Sequence, residues 1–560
     1  MVDGYSEHFR PMSAAKAREI VLEIGSKERS KWEDTPPEAR DELRGLREVT
    51  SETLDNPTHV LPELLQNADD IGGSCTEVSI ELTDDMLVFR NHEESMAVEN
   101  VEALGAYTKS TKQGDLDSIG HFGIGFKTVF SLTESVYIHS GFFSFRYEAD
   151  DKTVPEPVAC TEQPATEEEY YDGTTIALPL SLEAKKNRRE ILEEQLSSIG
   201  SLLPFLNHID TIRVSVFGDQ KTFHATPAAP GGVEITCKQE GEQISLERLR
   251  IFADSFEPDE ELLAQIADKR NLDTDTLRQQ TPDIEIEVAV PLDADGAPES
   301  LDTSHLFCYF ATEPDTQLPF HIQADFSLKP DRKHILWPDE FNRALLAQVS
   351  DVFETAFVQF HGEQADPSRI LELVPDPTQD RTATPYVDPV VEDIASYVRS
   401  EACIPDASQN LFQPAEVLFF ASPFRDLFSE TDVSNVIDRP VRYPSKNISD
   451  TARSRLQSLV PDSRLSIEAF LKQCAAEEFT SRSTEWYIRF YAGIMRHWNS
   501  KYESSGFGSP DREEREAQRN FLKLLRQTPC LSVEDGTVTA PATGEESLYR
   551  LNKTKQRDLD

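Results

Sequence analysis

"ELLQNADD", Glu63 to Asp70, decides the reading of this 560-residue chain. Leu61, Leu64, Leu65 and Ala68 repeat at the spacing of one helical face, so the stretch reads as an amphipathic helix over 57–72. Glu63 and Asn67 fall among these apolar positions, four apart, and so lie on one face a turn apart. Asn offers a hard oxygen to a hard cation such as Mg2+. Glu one turn earlier can take a proton from a water aimed at a phosphoryl group. On its own the pair is more simply a solvent-facing Glu and Asn, so the reading depends on its surroundings.

Downstream, "TEVSIELTDDMLVFRN" gives two strands about a tight turn, with Val78, Ile80 and Leu82, then Leu87 and Phe89, alternating. Asn91 ends the second strand in "FRNHEESM", where its side-chain oxygen can accept from an adenine amino group or simply make a turn. "GAYTKSTKQG" (105–114) is a polar loop able to cover phosphates, or a solvated loop. "IGHFGIGFKTVF" (119–130) sets Gly120, Gly123 and Gly125 before an expected helix, where backbone amides and the helix N-terminus favour an anion. Each motif alone is modest. In this order within 63–175 they describe nucleotide hydrolysis: a carboxylate, a metal ligand, a lid and an amide cradle.

The ordered set resembles the ATPase superfamily of gyrase, heat-shock chaperone, histidine kinase and MutL, and within it the sacsin and NO VEIN branch. The likeness covers 55–215 and returns at "LPFHIQADFSLKPDRKHI" (318–335). It implies Glu63 as the general base and Asn67 as the Mg2+ ligand. It implies Asn91 at the adenine-binding position and Met96 lining the base. Lys109, Ser110 and Thr111 would open the ATP lid, and Gly120, Gly123 and Gly125 would form the phosphate loop. Thr174, in "GTTI", would stand beside the adenine site, and Arg332 would reach the γ-phosphate from the middle segment. The sequence departs from the family at Asn91, which stands where an Asp is usual, without the glycines that normally follow it. An Asn oxygen can still accept from adenine, but a flipped amide would repel it.

The implied fold class is α+β. A Bergerat-type α/β sandwich ATP-binding domain over 51–215 follows an N-terminal helical segment, 1–50. A β-rich, transducer-like middle domain over 216–365 comes next, then a mostly helical C-terminal region, 366–560, after a Pro-bearing linker. In that last region "CIPDASQNLFQPAEVLFF" (403–420) and "CLSVEDGTVTAPATGEESLY" (530–549) share a weak pattern, by repeat or by chance. His321 and His334 lack partners at ligand spacing and read as core or interface residues. Trp486, Phe490, Ile494 and Trp498 recur every fourth residue and read as a packing face.

Composition sets bounds. The 101 acidic and 55 basic residues give a net charge of −46, spread along the chain, with Lys scarcer than Arg. This reads as a surface adapted to high salt, in a halophilic, archaeal cytoplasm. A field of that sign repels phosphate backbones and disfavours a broad nucleic-acid surface. The seven scattered Cys make no CxxC and indicate neither a zinc site nor a disulfide framework. No run of about 18 apolar residues occurs, so no membrane span is expected. The ending "NKTKQRDLD" reads as that of a piece of a longer protein. The function expected is a sacsin-like, chaperone-like, slow Mg2+-dependent ATP switch, with ATP and Mg2+ as cofactors and a homodimer as a partner state. An ATPase module of a DNA-processing or defence system, and a nucleotide-binding scaffold without turnover, are the alternatives.

Overall fold

The computed structural model describes residues 9–34, 57, 60–70, 76–92, 95–105, 125–162, 170–187, 189–228, 231–260, 262–265, 274, 284–308, 310–329, 333–503, 512–532 and 538–540. The chain divides into two compact units, 1–356 with 381–390, and 357–380 with 391–560.

The first unit is a mixed α+β structure on one 14-stranded sheet. Its strands are β1 (Glu77–Leu82), β2 (Met86–Asn91), β3 (Ser135–Gly141), β4 (Phe143–Glu148), β5 (Asp151–Pro157), β6 (Tyr171–Pro179), β7 (Thr211–Val216), β8 (Asp219–Ala228), β9 (Gly232–Gln239), β10 (Glu242–Phe256), β11 (Ile284–Pro291), β12 (Leu306–Cys308), β13 (Phe310–Ala311) and β14 (His321–Ala324). Their order across the sheet is β13-β12-β14-β11-β10-β9-β8-β7-β1-β2-β6-β3-β4-β5. Neighbours are antiparallel except β1 with β7 and β12 with β14. The expected domain boundary at 215/216 falls inside β7, which pairs with β1 on one side and β8 on the other, so the sheet runs through it.

Helices α1 (Ala14–Asp34), α2 (Val60–Asp69) and α3 (Val98–Gly105) share one core with the inward positions of β1 to β4, β6 and β7. Ala17, Ile20, Val21 and Ile24 form the buried stripe of α1 at i, i+3, i+4 and i+7. Ser13 starts this helix, its hydroxyl accepting from Lys16 N–H at 3.3 Å. Gly25 lets α1 lie against β5, because a Cβ there would come 2.8 Å from the Pro155 carbonyl oxygen. Helix α2 is shorter than the 57–72 read from sequence.

The glycine stretch leads into a 3₁₀ segment, Gly125–Ser131, rather than the α-helix expected. The apolar spacing explains this. Phe126, Val129 and Leu132 are buried at i, i+3 and i+6, a period of three that keeps all of them on the core side. Next come α4 (Leu182–Asn187), α5 (Arg189–Ser198) and a 3₁₀ segment, Ile199–Phe205.

The expected linker after Asp366 is packed, not solvated. Asp366 caps a 3₁₀ segment, Pro367–Leu373, by accepting from Ser368 N–H, and Ile370, Leu371, Leu373 and Val374 are fully buried. The prolines gave the linker reading, and the apolar pairs between them decided against it. The second unit is built of short helices around an aromatic core that includes Phe424, Phe428, Phe470, Phe479 and Phe490. Trp486 stacks on Phe490 at 5.3 Å, as the every-fourth-residue spacing requires. Cys403 and Cys530 each precede a two-stranded hairpin, paired Ile404↔Phe412 and Leu531↔Thr539 at the same offset.

Candidate functional site

The pleat of three neighbouring strands builds the site. On β2, β6 and β3 the core-facing positions are Phe89, Ile176 and Ile138, paired side by side in one row. Two residues further along each strand, the next core-facing row is Asn91, Thr174 and Ser140. The inward face therefore turns from apolar to polar at the ends of three strands at once. These groups remain buried: Asn91 is 5% exposed, Thr174 4% and Ser140 0%.

They bond in a chain. Thr174 N–H donates to Asn91 Oδ1 at 2.9 Å. The hydroxyls of Thr174 and Ser140 share a hydrogen bond at 2.8 Å. Met96 N–H donates to Ser140 Oγ at 2.8 Å, which brings the half-buried Met96 to the same corner. Gly141 makes room for this approach: it has φ +57°, and a Cβ there would lie 2.7 Å from Ser95. The structure thus gathers Asn91 and Met96, from one motif, with Thr174, from another. It adds Ser140 and Gly141, which sequence reading did not single out. "HSGFF" carried a signal, a small polar residue at an inward strand position followed by a turn glycine.

Helix α2 carries two acidic residues with different surroundings. Glu63 is 4% exposed, and Asn67, one turn on, is half-buried. Asp69 is 1% exposed and was not singled out from sequence. Its carboxylate accepts from Asn207 N–H (2.8 Å), His208 N–H (2.8 Å) and Ile209 N–H (3.0 Å), latching α2 to the segment that enters β7. Three backbone donors satisfy a buried carboxylate well.

Of the three glycines expected to form a phosphate loop, Gly125 begins the 3₁₀ segment, which packs against α2 and so links the first and fourth motifs. Lys127 in that segment is fully buried. Its Nζ donates to the carbonyl oxygens of Leu104 (3.1 Å) and Gly105 (3.2 Å), at the C-terminus of α3, and of Lys152 (3.1 Å). A cation among the carbonyls that end a helix is electrostatically well placed. Tyr147 holds α3 from below, donating to Val101 O at 3.0 Å, with burial pushing its phenol pKa far up. Lys109, Ser110, Thr111, Gly120, Gly123 and Arg332 lie outside the described residues. Beside Arg332, Lys333 is ion-paired with Glu313.

His321 is packed against Phe307 and Phe205. Its Nδ1 accepts from His305 N–H at 3.1 Å. Burial first, then the neighbouring His305, push it down to about 4, so it is a neutral core histidine.

The donor set suits a magnesium nucleotide in part. Asn67 offers the carboxamide oxygen of a half-buried side chain, and Glu63 a buried carboxylate one turn away. At the strand ends Asn91 Nδ2 makes no hydrogen bond among the described residues, although the side chain is buried. Nδ2 itself is not fully enclosed, so its donors can be met by solvent or by a ligand.

No family model matches the chain. The chain is similar to the protein NO VEIN of Arabidopsis thaliana, 25% identical over 343 residues, which is 57% of this chain and 12% of that protein. It therefore spans only a small part of that relative's length. The NO VEIN likeness stands as a distant relation, while the wider superfamily rests on the motifs. Among the described residues no helix is long and apolar enough to cross a membrane.

Proposed function

We propose that the first unit binds a magnesium nucleoside triphosphate and hydrolyses it slowly, as a conformational switch, with ATP the nucleotide that the resemblance implies. The carrying observation is the polar row Asn91–Thr174–Ser140, set at the core-facing ends of adjacent strands beneath helices that bring Glu63 and Asn67 to the same unit. In this reading the sheet and its helices form a Bergerat-type sandwich. Asn91, Thr174 and Met96 hold the base. Asn67 holds the metal, which when bound offsets phosphate charge. Glu63 accepts the proton of the attacking water. Lys127 and Tyr147 fix the end of α3, from which the lid sequence departs. The polypeptide on which the switch acts would be a client, as for a chaperone-like protein.

The test is Mg2+-dependent phosphate release at molar KCl. Glu63→Ala should lower the rate by about 100-fold or more while nucleotide still binds. Asn67→Ala should lose Mg2+-dependent binding itself. Equal rates in wild type and Glu63→Ala would remove the assigned base.

A further inference from the structure

The bond that fixes Asn91 also determines what it can show to a ligand. Thr174 N–H is only a donor, so the Asn91 atom 2.9 Å from it must be the carboxamide oxygen. The amide cannot flip without setting two donors against each other. Its Nδ2 group, two N–H donors with no partner among the described residues, is what remains. A carboxylate at this position would behave differently: one oxygen would take the Thr174 N–H and the other would stay an acceptor.

We propose that Asn91 makes this site select purine nucleotides with a 6-oxo group, such as guanosine and inosine triphosphates, over adenosine triphosphate. The inference rests on the reading of this corner as the base end of a nucleotide site. The 6-oxo group accepts from Nδ2, whereas the 6-amino group of adenine brings a donor against a donor. Once a base covers Nδ2, a mismatch of this kind leaves polar groups unpaired and discriminates against the wrong base. Thr174 and Ser140 act as positioning residues. Their shared hydrogen bond holds the strand ends in register, and the Thr174 amide sets the orientation of Asn91.

The experiment is equilibrium binding of the Mg2+ complexes of ITP, GTP, ATP and purine riboside triphosphate to the full chain, at molar KCl. The last ligand has no 6-substituent and calibrates the contribution of that position. Wild type should bind ITP and GTP about tenfold or more tighter than ATP, with the unsubstituted purine between them. In Asn91→Asp, which keeps the Thr174 bond, the order should reverse in favour of ATP. Thermal melting checks that the variant is folded, and the wild-type series stands without it. Tighter binding of ATP than ITP by wild type would overturn the proposal, by showing that the second lone pair of Asn91 Oδ1 meets the 6-amino group, and would leave the nucleotide site intact. Binding of none of the four would overturn both.

Discussion

Two buried polar regions of the first unit behave in opposite ways. Asp69 and Lys127 are each held by backbone: three N–H groups on the carboxylate, three carbonyls on the ammonium. Around Asn91 the backbone takes one acceptor and leaves the amide donors over. The side chains of Asp69, Lys127 and Asn91 are all buried. Burial of a charge is therefore no guide to function here. A buried group whose capacity is used up by the backbone holds the architecture, and one with capacity remaining is where the proposed nucleotide would be met.

The sharpest way to break this comparison is at Asp69. Asp69→Ala leaves the buried Ile209 N–H unpaired and takes the acceptor from the N–H groups of the exposed Asn207 and His208, and the first unit should lose about 3 kcal/mol in denaturant unfolding. A loss under 1 kcal/mol would mean that the latch is not structural. Lys127→Met keeps the volume and removes the ammonium, and should cost about 2–3 kcal/mol by stranding the carbonyls at the end of α3. Hydrogen exchange should localise the effect to 98–105.

His321 belongs to the engaged class and gives it a pH signature. Its folded pKa, about 4, lies below the unfolded value near 6.5, so the unfolded chain binds the extra proton. Its contribution is present above pH 6.5 and is lost as pH falls toward 4, by about 1–2 kcal/mol at pH 5. Unfolding of His321→Asn should lack this slope, and an unchanged slope would assign it elsewhere. Ser140→Ala is the smallest change. It should cost about 1 kcal/mol or less in stability, yet weaken nucleotide binding and narrow the gap between ITP and ATP, because Thr174 loses its neighbour. A selectivity unaffected by Ser140→Ala would make that hydroxyl a bystander.

Much of this was legible in the chain. The apolar spacing of α2 and the alternation in "EVSIEL" and "MLVFRN" follow from periods that the sequence states directly. So did the placing of Asn91 and Thr174 as candidates, though from separate motifs. Local signals misled where two periods competed. The segment Gly125–Ser131 took the three-residue period, and the proline-rich stretch after Asp366 was drawn inward by Ile370, Leu371, Leu373 and Val374.

The sequence by itself determined the elements and the inventory of polar side chains, because propensity and periodicity act between near neighbours. Only the tertiary structure decided which of those side chains were used up. The register of β2, β6 and β3 sets Thr174 between Asn91 and Ser140 and turns the Asn91 oxygen toward a backbone amide 83 positions away. The fold of α2 against the entry to β7 gives Asp69 its three donors. Hydrogen-bond capacity is spent across long sequence separations, and no local pattern can show where it remains.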